Sequence, residues 1–287
     1  VGLHKSLNIM NKSNSSTDFM TYFEVMAALN LVTFAITLPA ILFAIYVVYQ
    51  QIRLNQAVHV YVLNILISDI LQCVGRLDDL FELHNYSVLI WTMYFAIILN
   101  VSFMMCIAVE RYLMISHPLW YSIHCTVKRS ILTSLGVWMV SLIVTALECI
   151  GVHLLDMLMF NYVIPILLLL PFPLLLFLFV GTWRGLSKAL TLSTREKRRI
   201  LATLGLVIGS YTFFFLPFII VILNWDSVPG YLVVSAQLLL CMNPLSDLLL
   251  YIFVRKDRTR HILQDISCCH RSQTDHEETD QTAVTSL

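Results

Sequence analysis

Four charged side chains lie within or at the edge of long apolar runs. Asp69 falls in "NILISDI" and Asp247 in "MNPLSDLLLY", while Glu110 and Arg111 stand side by side in "CIAVERYLMISHP", where the apolar run Leu89 to Val109 ends. A charged group carried into hydrocarbon costs about 2.5–3.5 kcal/mol on insertion scales, so each must be paired, wetted or neutralised. For Asp69 this means a proton or a recruited cation. Asn100, Asn243 and Asp247 are the polar groups expected to keep it company, and two nearby carboxylates should titrate as a coupled pair. Glu110 and Arg111 can neutralise each other, or they can form an interfacial ion pair whose long side chains reach toward headgroups.

The residues do not suggest bond-making chemistry. The chain has no G-x-S-x-G, H-E-x-x-H or C-x-x-C pattern and no glycine-rich phosphate loop, so an enzyme is not expected. A retinal Schiff base would need a lysine in the last apolar run, Val228 to Val254, which holds none.

The elements that must carry these groups follow from composition. Of 287 residues 58% are hydrophobic and 13% charged, with mean hydropathy +0.79. This is too apolar for an ordinary soluble domain. A hydrocarbon core of about 30 Å needs about 20 apolar residues per helix. Suitable runs are Tyr22 to Tyr49, Val58 to Leu80, Leu89 to Val109, Ser130 to Ile150, Leu158 to Val180, Ile200 to Leu223 and Val228 to Val254. Pro39, Pro171, Pro173, Pro217 and Pro244 fall inside them, as membrane helices tolerate, and the alternating pattern of a membrane barrel is absent. The expected fold is an all-α membrane bundle of seven transmembrane helices, with an outer segment 1–20, a membrane domain 21–254, an amphipathic eighth helix 255–269 and a polar tail 270–287.

Lys and Arg placement sets the expected orientation. With the first segment outside, the outer segments hold only Lys5, Lys12 and Arg76, and all other Lys and Arg fall inside, which predicts the N-terminus out and the C-terminus in. The glycosylation sequons at Asn11, Asn14 and Asn85 then lie outside. The chain opens at Val1 with no basic-then-apolar leader, and a cleavable signal is not expected from these residues. The inner basic rim suits anionic lipid and a cytosolic protein partner, and nothing points to nucleic acid. The seven cysteines are scattered, and no disulfide is expected.

Five motifs in order then carry a resemblance. Asp69 in the second run, Glu110-Arg111-Tyr112 at the end of the third, Trp138 in the fourth, Pro217 in "FFFLPF" of the sixth, and Asn243, Asp247 and Tyr251 in the seventh resemble the rhodopsin-like (class A) G-protein-coupled receptors over nearly the whole chain. The resemblance implies that Glu110 restrains Arg111 in the inactive state and that Arg111 swings to line a heterotrimeric G-protein pocket on activation, with Tyr112 and Tyr251 in the same switch. It implies a sodium-binding cluster at Asp69, Asn100, Asn243 and Asp247 with no other cofactor or metal, and an activation kink at Phe215 and Pro217. The spacing "NPLSDLLLY" resembles the Asp-Pro-x-x-Tyr form of the δ branch, which includes nucleotide, protease-activated, lipid and proton receptors, with Leu248 in place of the proline; Phe215, two residues before Pro217, agrees.

Departures from the family pattern are specific. Ile41 replaces the first-helix Asn, Tyr86 stands where the outer disulfide Cys belongs, Phe179 replaces the fifth-helix Tyr, and Lys197 replaces the acid of a second inner lock. Met93 stands where amine receptors carry an Asp, and Phe213 to Leu240 has no Lys, Arg or His to clamp an anion. An apolar pocket from Met93, Tyr94, Ile97, Phe215, Phe218 and Gln237 suits a lipid-like or small neutral ligand. Proton sensing through His84 and His153, and a cationic peptide drawn by the outer acids, stay open. Beyond Tyr251, the basic stretch ending in Cys268 and Cys269 resembles a palmitoylated eighth helix, and Thr285, Ser286 and Leu287 resemble a PDZ ligand. The rival readings are a decoy that binds without coupling and a seven-helix transporter or channel, the latter requiring inverted repeats that the chain does not display.

Overall fold

A computed structural model of the protein describes residues 16–52, 58–76, 86–124, 126–155, 162–188, 194–224 and 227–252. Among them the chain is helical apart from short connections, as a segment surrounded by hydrocarbon must be to satisfy its own backbone. The helices are α1 (Ser16–Ile52), α2 (Val58–Gly75), α3 (Tyr86–Ser116), the short α4 (Pro118–His124), α5 (Val127–Leu155), α6 (Ile164–Leu169), α7 (Pro171–Lys188), α8 (Thr194–Ser210), α9 (Leu216–Leu223), α10 (Gly230–Cys241) and α11 (243–252). Six stretches are long and apolar enough to cross a membrane, and a seventh, Val60–Gly75, is apolar but shorter. The second span is thus shorter than expected, its helix ending at Gly75. The proposed eighth helix, tail, sequons and C-terminal motif (Asn11, Asn14, Asn85, Cys268, Cys269, Thr285, Ser286 and Leu287) lie outside the described residues.

Proline divides three of the spans. Pro171 starts α7 where α6 stops, splitting the fifth span. In the sixth, a π-helical turn over Tyr211–Phe215 joins α8 to α9 directly before Pro217. The wider turn takes up a ring that would otherwise collide with the carbonyl four residues earlier. In the seventh, α10 ends at Cys241 and α11 resumes at 243, around Pro244. The break thus falls one turn before Leu248.

α3 is the axis of the bundle. Of its most apolar window 67% is buried, against 22% for α5, which presents Leu135, Met139, Leu142 and Leu147 outward. An exposed apolar face of that extent needs lipid against it. α3 packs on α2, α5, α7 and α8. Its approach to α7 is close because two positions there carry no side chain: a Cβ at Gly181 would lie 2.7 Å from the Tyr112 ring, and one at Gly185 would lie 2.8 Å from Ile115. Small residues permit such contact between membrane helices.

Polar side chains join the spans at discrete points. Asn64 of α2 donates to Ser134 Oγ (3.3 Å) and accepts from Trp138 Nε1 (2.8 Å), tying the second span to the fourth. Ser210 and Ser246 share a hydrogen bond between the sixth and seventh spans. The Tyr211 hydroxyl donates to the Leu168 carbonyl, and its ring stacks between Phe172 (5.8 Å) and Phe215 (5.7 Å), linking the fifth span to the sixth.

Arg76, which the sequence reading places in an outer loop, is buried just past the end of α2 with 7% of its surface exposed. Its Nη2 donates to the Leu240 carbonyl of α10 (3.1 Å) and toward Gln72 Oε1 (3.4 Å). Leu240 is four residues before Pro244, which has no N–H to offer that carbonyl, so a guanidinium from the second span supplies the missing donor. Arg76→Met should therefore lower the unfolding temperature of the detergent-solubilised chain through a loss of about 1–3 kcal/mol for the stranded carbonyl. Adding Pro244→Ala, which restores an N–H to Leu240, should recover part of that loss; a thermal-unfolding double-mutant cycle with no coupling would refute the assignment.

Candidate functional site

Two polar groups converge on α3, one at mid-helix and one near its last turns. At mid-helix the structure brings together all four residues of the expected cluster. Asn100 is fully buried, and its Nδ2 donates to Asp69 Oδ1 on α2 and to Asp247 Oδ2 on α11, each at 2.9 Å. Asn243 Nδ2 donates to the same Asp247 oxygen at 3.0 Å. One amide nitrogen is thus shared by carboxylates from two other helices, which fixes both at close quarters in a dry environment.

The donors do not suffice for the acceptors. Asp69 Oδ2, Asn100 Oδ1, Asn243 Oδ1 and Asp247 Oδ1 are all buried without a hydrogen-bond partner. Four unsatisfied oxygens, two from carboxylates and two from amides, form a donor set that fits a hard monovalent cation, or a proton on one carboxylate. Sodium suits these residues: Asp69 and Asp247 would supply charge and the two Asn carbonyls neutral oxygens. The described residues contain no group of three or more His, Cys, Asp or Glu placed to hold a metal ion. Of the described cysteines, Cys73, Cys106, Cys149 and Cys241 are not joined in disulfides, and Cys241 Sγ donates to Asn30 Oδ1 at 3.0 Å.

Near its other end α3 carries Glu110 and Arg111, each about 6% exposed. Both side chains are buried, and Glu110 lines a cleft at the side of the bundle. Glu110 Oε1 accepts from the Tyr121 hydroxyl of α4 at 2.9 Å, and Oε2 is buried without a hydrogen-bond partner. Tyr121 was not legible as a site residue, because it lies in what reads as a loop; the signal would have been a hydroxyl one short helix beyond a buried acid. Tyr112 packs its ring on Phe177 (6.3 Å) and over Gly181, Tyr251 is buried in the core, and Phe179 packs edge-on against Trp183 (6.1 Å). Lys197 is half-buried on α8. Ile41, where the family pattern has Asn, is fully buried and adds no polar group to the cluster.

The six residues read as a ligand pocket fall as follows. Tyr94, Ile97 and Phe215 are core residues, Met93 and Phe218 pack against that core, and Gln237 is half-buried on α10. Met93 meets the second span closely, since a Cβ at Gly75 would lie 2.8 Å from its backbone nitrogen. Phe215 is held in the three-ring stack next to Pro217, so the expected kink pair sits on the π-helical turn and the start of α9.

A family model described as 7 transmembrane receptor (rhodopsin family) matches residues 41–251. The match runs from the buried Ile41, midway along the first span, to Tyr251 of α11 and covers the spans between. The chain belongs to the rhodopsin family of seven-transmembrane receptors. It is a multi-pass membrane receptor, of a family whose members in general signal rather than catalyse and in general couple to heterotrimeric G proteins.

Asn100→Leu removes the shared donor and leaves two carboxylates facing each other. A loss of about 3 kcal/mol is expected, read as a lower unfolding temperature. Asp69→Asn removes one of the like charges while keeping a hydrogen-bonding group, and in sodium-free buffer it should be neutral or stabilising. If both variants unfolded at the same temperature, the shared-donor account would fail.

Proposed function

We propose that this receptor carries a signal from outside the cell to heterotrimeric G proteins, with Arg111 as the group released on activation and with Glu110, Tyr112 and Tyr251 in the same switch. The observation that carries the reading is the burial of Glu110 and Arg111 together in the helical bundle, a costly arrangement for a residue pair that merely marked the membrane edge. Tyr121 holds one Glu110 oxygen, so the second inner loop senses the state of the same carboxylate. The π-helical turn at Tyr211–Phe215, the ring stack through Phe215 and the break at Pro217 provide the sixth span with a place to bend. The partner surface is the basic stretch around Lys197 together with α4. The same reading puts the N-terminus outside, glycans on Asn11, Asn14 and Asn85, palmitate on Cys268 and Cys269, and a PDZ partner on Thr285, Ser286 and Leu287.

The mid-helix cluster supports a sodium-stabilised resting state. A bound monovalent cation would neutralise one of the two carboxylates and draw α2, α3 and α11 together. Asp69, Asn100, Asn243 and Asp247 hold the position, and a change that separates those helices lowers the affinity of the site. Ligand preference falls on a lipid-like or small neutral molecule in the apolar region of Met93, Tyr94, Ile97, Phe215, Phe218 and Gln237, consistent with the δ-branch spacing around Asp247.

Basal and ligand-panel G-protein dissociation, measured in cells with wild type and Arg111→Ala at matched surface expression, tests the switch. Arg111→Ala should abolish the signal, and a signal that persists undiminished rejects the role of Arg111. Silence of the wild type across the panel would favour a decoy, a reading consistent with the Phe179 ring having no hydroxyl to stabilise a released guanidinium. For the cluster, replacing potassium chloride by sodium chloride at equal ionic strength should raise the unfolding temperature of the wild type by the equivalent of about 1–3 kcal/mol. Asp247→Asn should lose most of that increment. An increment of equal size in potassium would reject sodium selectivity.

A further inference from the structure

A cleft of about 470 Å³ opens on the side of the bundle at the Arg111 end, between α2, α3 and α5, with α4 beside it. Its wall is largely apolar and includes Tyr61, Val109, Trp120 and Thr133, but it also contains one acid and one base, Glu110 and Arg129. The volume is in the range of pockets that enclose a ligand of several hundred daltons. The mouth faces the surroundings of the bundle, since Val109, Trp120, Arg129 and Thr133 are exposed, and Leu119 next to Trp120 is 83% exposed. An exposed tryptophan beside an arginine at the end of a membrane helix marks headgroup depth.

Glu110 sets what can occupy this cleft. Its side chain is more than nine-tenths buried, Oε1 is taken by Tyr121, and Oε2 is buried with no hydrogen-bond partner. Arg111 beside it supplies opposite charge, and the buried oxygen still lacks a hydrogen-bond donor, which a charged group would supply best. An occupant reached from the membrane must bring that donor on an apolar body and must also accept from the Arg129 guanidinium. We propose that the cleft binds one phospholipid with an ethanolamine headgroup, its ammonium donating to Glu110 Oε2, its phosphodiester meeting Arg129, and acyl chain lying along Val109 and Met105. A choline headgroup has no N–H to donate, and a serine headgroup brings a second carboxylate toward Glu110. The ethanolamine head alone among these matches the acid and the base together.

The test uses the full chain reconstituted in vesicles with equal amounts of ethanolamine, choline and serine phospholipids carrying identical oleoyl chains, with sterol as a fourth component. After extraction into mild detergent, retained lipid is counted by native mass spectrometry. The ethanolamine lipid should be retained about tenfold over the choline lipid, as expected for one charge-assisted hydrogen bond. Glu110→Gln should bring the two to parity. Thr133→Trp, on the exposed rim, should fill the mouth and remove the retained lipid while leaving the unfolding temperature within a degree or so of wild type in lipid-free detergent, which separates occlusion from misfolding. Equal retention of ethanolamine and choline lipids in the wild type, an ethanolamine preference that survives both substitutions, or retention of sterol in its place would each overturn the proposal.

Discussion

One amide nitrogen, Nδ2 of Asn100, holds two carboxylates from two other helices, and the arrangement of the bundle depends on it. Hydrocarbon offers no partner to either carboxylate, and Asn100 is the donor that reaches both, so α2 and α11 come to α3 at this height. That single requirement fixes the register of three spans that apolar packing alone leaves free to slide, because lipid is as good a solvent for leucine as another helix is. The oxygens left over at the same point make the junction strong only when something neutralises them, which turns a structural contact into one whose strength depends on its occupant.

The other contacts of α3 extend the same logic toward its far end. Gly181 and Gly185 allow α7 to meet Tyr112 and Ile115 at backbone distance, and Tyr121 returns from α4 to the carboxylate of Glu110. A helix that is two-thirds interior along its apolar length touches most of its neighbours at once. A change in rotation or height of α3 is therefore felt by the mid-bundle cluster and by the Glu110–Arg111 region together. Elsewhere the links are local: Asn64 with Trp138, Ser210 with Ser246, and the stacked rings of Phe172, Tyr211 and Phe215.

Much of the fold was legible because the membrane imposes a length rule. Seven apolar runs of about twenty residues are visible without any partner information. Pro217 was legible as a kink in the sixth span, whereas the break at Pro171 was not, since a proline inside an apolar run can also leave its helix whole, as Pro39 does in α1. Asp69, Asn100, Asn243 and Asp247 could be grouped because each is anomalous in its own run, and anomalous residues in a membrane must find one another. Arg76 escaped that logic: it follows the apolar part of the second span by one residue, and by local pattern it is a loop cation. Its role depends on a carbonyl freed 164 positions later by Pro244, which no local pattern conveys. Tyr121 and the Asn64–Trp138 pair escaped for the same reason, since an ordinary side chain in an ordinary place gains its meaning only from what faces it. The π-helical turn is visible in the sequence only as a crowd of aromatics before Pro217.

The guanidinium of Arg76 bolts the seventh span to the second just where Pro244 leaves it weakest. A proline break is usually a flexible joint, yet here its open carbonyl is gripped from outside, so the stretch above the joint and the neighbouring helix behave mechanically as one slab. Bending energy put into the seventh span is then released below the joint, on the α11 side that carries Asp247 and Tyr251. Any event that loosens that grip would convert a directed lever into a floppy one, altering how far a disturbance at one end of the protein travels without touching either end.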